Sequence, residues 1–102
     1  MTKIELYNYT GDFAENKDIA KDLRINCIEP NIVNDSVQLD FNNITSATQS
    51  FIHALISNVI RINGVDVLDR LYFKNCNDQI KTIINIVVDY VQDGIFIDPE
   101  DM

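Results

Sequence analysis

The chain has a single histidine, His53, in a segment that also carries Ser50 and Ser57. At helical spacing (i, i+3 and i+7) the three side chains share one face. A serine beside a histidine suggests nucleophilic acyl chemistry, with the imidazole taking the hydroxyl proton. That chemistry also requires an acid to orient the ring and donors for the oxyanion. A pair one turn apart on a helix has neither by construction. The plainer reading is a polar stripe facing solvent or a partner, and no catalytic residue is assigned. One histidine also falls short of the three or four ligands that zinc takes, so no metal or cofactor is expected. Asp98, Glu100 and Asp101 carry charges suited to a hard cation, but in an acidic tail they are more simply solvated. Asp18 and Asp22, interleaved with Lys17 and Lys21, read as a solvated helix face. Nucleotide binding by a dinucleotide fingerprint or a P-loop is excluded, because the first turn, Thr10-Gly11-Asp12-Phe13, holds one glycine only. Cys27 and Cys76 form no CxxC pair and are expected as free, partly buried thiols.

A more informative place is the junction from Leu39 to Phe51. There a strand ends, Asn42 and Asn43 open a polar turn, and Thr48, Gln49 and Ser50 fall at the start of a helix. A helix start presents unpaired amides and a partial positive charge, which stabilise a phosphate. A hydroxyl at that point is therefore suited to phosphorylation. Ordinary capping by Thr48 accounts for the same residue types.

Composition bounds the partners. Sixteen acids against eight bases give a net charge of −8 over 102 residues. The bases are scattered, and phosphate backbones or anionic membranes require them clustered. Neither nucleic acid nor membrane is expected as a partner. No stretch reaches the ~20 apolar residues of a membrane span. The first residues show neither a hydrophobic run nor a cleavage motif, so a cytoplasmic location is expected. Hydrophobic residues make up 46% of the chain, enough for the core of one domain.

Periodicity then gives the elements that must position these residues. Alternation over 3–9 and over 36–41 predicts strands, the second with Val37, Leu39 and Phe41 on one face. Arg70 to Lys74 reads as a third. Ile19, Leu23 and Ile28 predict a helix over 15–29, capped by Asn16 and ended or kinked by Pro30. Ile52, Leu55, Ile56, Val59 and Ile60 predict a helix over 48–62 that leaves through Gly64. Ile80, Ile83, Ile84, Val87, Val88 and Val91 predict another over 77–93. The β-α-β-α-β-α order implies a single small α/β domain over 1–94, its mainly parallel sheet covered by helices. Residues 95–102 form an acidic tail whose apolar Ile95-Phe96-Ile97 is either an edge strand or a contact patch.

Asp40 to Leu55, D-F-N-N-I-T-S-A-T-Q-S-F-I-H-A-L, resembles the strand–turn–helix core of STAS domains, the fold of anti-sigma factor antagonists. The whole chain is similar to bacterial STAS-like domains of unassigned function, through Phe13 to Lys21, Ala47 to Ile56 and Phe73 to Asn77. The resemblance implies a regulatory protein-interaction domain, not an enzyme. Its partner would be a histidine-kinase-like ATPase that phosphorylates the first serine of the helix start. Aligned from Asp40, that serine falls on Gln49 and the second on Ser50, while Phe51 replaces the family glycine. Either the switch has moved to Ser50 or Thr48, or it is lost and the surface persists for docking. The candidate contact residues are Asn42, Asn43, Thr48, Gln49, Ser50 and His53. Two other readings are a small enzyme working at the Ser50/His53 face and a structural subunit assembled through the 95–97 segment. The sequence leaves the oligomeric state open.

Overall fold

The computed structural model describes residues 1–92. Its main sheet has three strands, β1 (Thr2–Glu5), β3 (Val37–Asp40) and β5 (Leu71–Lys74), all parallel and in the order β1-β3-β5. The register aligns Ile4, Leu39 and Phe73 in one row and Glu5, Asp40 and Lys74 in the next. Side chains alternate across a strand, so the two rows point to opposite faces. Ile4, Val37, Leu39 and Leu71 are buried on the first face, with Phe73 half-buried among them. Lys3, Glu5, Tyr72 and Lys74 are exposed on the second, with Gln38 and Asp40 half-buried. Among the described residues the helices thus cover one face only, although parallel sheets are usually covered on both.

The covering layer is built around α4 (Gln49–Asn63), which packs between α2 (Lys17–Leu23) and α5 (Asp78–Gln92). The expected stripe of α4 is fully buried, from Ile52 through Leu55, Ile56 and Val59 to Ile60. Gly64 closes the helix at φ 83°, a left-handed value that a side chain would strain. A 3₁₀ turn (Val65–Asp69) then leads into β5. In α5, Ile80, Ile84, Val87 and Val91 are buried. Their β-branched side chains make mediocre helix formers, so burial rather than propensity holds this helix.

Three expectations need correction. The first strand stops at Glu5, and Tyr7–Thr10 form a one-turn helix, α1. The Leu6 carbonyl accepts from the amides of Tyr9 (2.9 Å) and Thr10 (3.1 Å) and from the Thr10 hydroxyl (3.2 Å), which turns the chain away from the sheet. Second, the helix after Asn16 does not end before Pro30. It passes through a π-helical turn (Arg24–Ile28) into α3 (Glu29–Ile32), where Pro30 sits in the first turn, a position that needs no amide hydrogen. In the π turn the Glu29 amide bonds back to the Arg24 carbonyl, five residues earlier. Third, the polar turn after Phe41 contains a two-residue strand, β4 (Ser46–Ala47), paired parallel with β2 (Phe13–Ala14) as a second small sheet. The expected domain boundary at 94 and the tail 95–102 lie outside the described residues.

Candidate functional site

The C-terminal ends of β1, β3 and β5 and the starts of α4 and α5 meet at one end of the sheet, the usual place for ligands in open α/β folds. Asp40 organises it. One carboxylate oxygen of Asp40 accepts from the Asn42 amide and from the Asn75 side-chain amide, both at 2.9 Å. Asn43 (φ 69°) and Asn75 (φ 58°) take left-handed backbone conformations, which asparagine tolerates better than most residues. Asn42 and Asn43 are exposed and line a small hollow of about 120 Å³ with Glu5, Tyr7, Asn8 and Asp40.

The chain then crosses to α4. The Asp12 carbonyl accepts from the Thr45 amide (2.8 Å) and hydroxyl (3.1 Å), and the Thr48 amide donates to Ala14 (3.0 Å). Thr48 is the N-cap of α4, its hydroxyl accepting from the Phe51 amide at 3.1 Å. Thr48→Ala is expected to cost about 1 kcal/mol, read as a lower urea midpoint without a change of slope. Gln49 and Ser50 occupy the first two helical positions and are half-buried. Among the described residues the Ser50 hydroxyl makes no hydrogen bond.

His53 lies one turn further on, in a different place. It lines a groove of about 380 Å³ between α2 and α4, with Lys17, Asp18, Lys21 and Arg24 on one wall and Ala54, Ser57 and Asn58 beside it on the other. The nearby hydroxyl is that of Ser57, 3.5 Å from the imidazole Nδ1, and it donates to the His53 carbonyl at 2.6 Å. The six candidate residues therefore share one stretch of chain but not one hollow. Asn42 and Asn43 belong to the sheet end, Thr48 to the cap, and His53 to the helix groove.

Three side chains that sequence reasoning passed over hold this end together. Gln79 donates to the Ala47 carbonyl (2.9 Å) and accepts from its amide (3.1 Å), acting as a strand neighbour on the free side of β4. Asn77 accepts from the Ile80 amide at the start of α5 and donates to the Thr45 carbonyl at 2.8 Å. Asn75 ties the end of β5 to Asp40. Asn77 alone carried a readable signal, an asparagine three residues before the first buried isoleucine of a helix.

Cys27 and Cys76 are both free and half-buried, and burial pushes the Cys76 thiol pKa up, away from the reactive thiolate. Among the described residues no group of three or more His, Cys, Asp or Glu is placed to hold a metal ion. None of their helices is long and apolar enough to cross a membrane.

No curated protein and no solved structure matches the chain. A family model for a STAS-like domain of unknown function (DUF4325) matches residues 20–81. That span runs from α2 through β3, the Asp40–Thr48 crossing, α4 and β5 into the first turn of α5. With well over half its length matched, including β3, the Asp40–Thr48 crossing, α4 and β5, the chain belongs to the family of STAS-like domains of unknown function.

Proposed function

We propose that this domain is a cytoplasmic, non-enzymatic regulatory module that docks a partner protein through the 42–48 crossing and the first two turns of α4. The partner is of the histidine-kinase-like ATPase class that the STAS resemblance implies, and Ser50 is the residue it phosphorylates. One observation carries the choice of Ser50. The Thr48 hydroxyl is engaged in capping α4, whereas Ser50, two residues on, has a half-exposed hydroxyl with no structural bond to lose. A phosphate at the second helical position lies over the first-turn amides and adds negative charge where the helix dipole favours it.

The test is an affinity capture from host lysate with the wild-type domain, Ser50→Ala and Ser50→Asp, followed by intact-mass analysis. A species heavier by one phosphoryl group, absent from Ser50→Ala, is expected together with an ATPase that Ser50→Asp no longer retains. An unmodified protein that retains the same partner in all three forms removes the phosphorylation and leaves plain docking. An activity that labels Ser50 with a serine-directed probe would favour the enzyme reading instead.

A further inference from the structure

We propose that the open face of the main sheet is the contact surface for a second copy of this chain. A parallel sheet is ordinarily buried on both faces, because its crossovers put helices on each. Here, among the described residues, the face away from the helices carries Lys3 and Glu5 on β1, Gln38 and Asp40 on β3, and Tyr72 and Lys74 on β5. Register sets these six side chains in two rows, Lys3-Gln38-Tyr72 and Glu5-Asp40-Lys74. The face is charge-balanced, two lysines against two carboxylates, whereas the rest of the sequence holds six bases against fourteen acids. A net charge of −8 opposes self-association, and copies that meet at this face bring no net charge to the contact.

The two rows make the face complementary to itself. A second copy turned over about a two-fold axis in the contact plane, across the strands and midway between the rows, sets each strand antiparallel over its counterpart. Each row then faces the other. Lys3 meets Glu5 of the second copy, Gln38 meets its Asp40 and Lys74 meets its Tyr72, and the symmetry repeats every contact. These are an ion pair, a hydrogen bond to a carboxylate and a cation over an aromatic ring. An axis along the strands would instead set Asp40 against Asp40. Asp40 is prepared for its part, because its bonds from the Asn42 amide and the Asn75 side chain both end on one carboxylate oxygen. Tyr72, 40% exposed, is a residue type enriched at interfaces. Sheets packed face to face lie about 10 Å apart, within reach of such long side chains from both sides. Each strand has four residues, so the face is roughly 13 Å across and the dimer falls in the weak, transient class.

The experiment is sedimentation equilibrium of the full chain, with an amide NMR concentration series to locate the contact. A monomer–dimer equilibrium with a dissociation constant of about 1 mM or tighter is expected, its concentration-dependent shifts centred on β1, β3 and β5. Glu5→Lys and Lys3→Glu, both at exposed positions, should each weaken association by at least about tenfold, since each sets like charges together twice. The double exchange Lys3→Glu/Glu5→Lys should restore it, and so should an equal mixture of the two single variants. The antiparallel arrangement requires both rescues, whereas a merely solvated face gives neither. A chain that stays monomeric throughout, or a double exchange that fails to restore the dimer, overturns the proposal. So does a dimer whose shifts lie elsewhere, at residues 95–97 for instance. Ser50→Ala should leave the dimer unchanged, because α4 packs on the other face of the sheet. This contact and the docking surface therefore stand or fall separately.

Discussion

Phe51→Gly, which installs the residue that the STAS pattern places here, is expected to bring the domain close to unfolding at 25 °C. Phe51 is 0% exposed and is among the largest fully buried side chains. Truncating a buried phenylalanine to alanine costs about 3–5 kcal/mol, and glycine in a helix costs about 1 kcal/mol more. The sum approaches the lower end of the roughly 5–15 kcal/mol that holds a domain folded. Urea denaturation followed by circular dichroism reads it directly. Ile62→Ala, on the same helix but 68% exposed, should shift the midpoint by less than about 0.5 kcal/mol. A wild-type midpoint for Phe51→Gly would mean that this side chain does not fill the core. The departure from the family pattern at position 51 is therefore a change of packing beneath the helix start. Ser50 next to it stays half-buried, and among the described residues its hydroxyl makes no hydrogen bond.

Gln79→Ala should cost about 2 kcal/mol, a large effect for an exposed residue of α5. It removes one hydrogen bond to the Ala47 amide and one to its carbonyl, and Ala47 is buried. Each neutral bond is worth about 1 kcal/mol, with more lost where a buried group is left unpaired. Hydrogen exchange locates the effect, since the Ala47 amide should lose protection while amides in the middle of α4 keep theirs. Gln79→Glu retains the acceptor but not the donor and should fall between the two. If both variants match wild type at Ala47, the pinning of β4 by α5 is wrong. Because Ala47 immediately precedes the cap of α4, the same variant should also weaken partner capture through the Ser50 surface.

Much of the fold was legible because it rests on spacing within short segments. Val37, Leu39 and Phe41 alternate, and the buried stripes of α4 and α5 repeat at helical intervals. The Asn16 cap was legible for the same reason: its side chain accepts from the Asp18 amide at 2.9 Å and the Ile19 amide at 3.3 Å. The π turn was written in the sequence as well, although helical periodicity passes over it. Leu23 and Ile28 are five residues apart and both buried, while Cys27, at the α-helical interval, is only half-buried. Five is the π interval, and a proline at position 30 is then simply the start of the next helix. By contrast, two-residue strands have no period to detect. Phe13–Ala14 and Ser46–Ala47 become strands only because the folded chain sets them side by side.

The candidate site divides along the same line. By itself the sequence determined the α/β order, the helix start at Thr48 and the hydroxyls gathered there, since each depends on neighbours a few residues away. It read Lys17 and Lys21 as part of a solvated helix face, because along α2 alone they alternate with acids and nothing distinguishes them. Only the tertiary structure decided that this face turns toward α4, joining Arg24 to a groove with His53 and Ser57. Likewise, only the folded chain sets Gln79 against Ala47, 32 residues away. Such pairings follow from strand register and helix packing, which are set by the burial of the whole core at once. No local pattern carries that information.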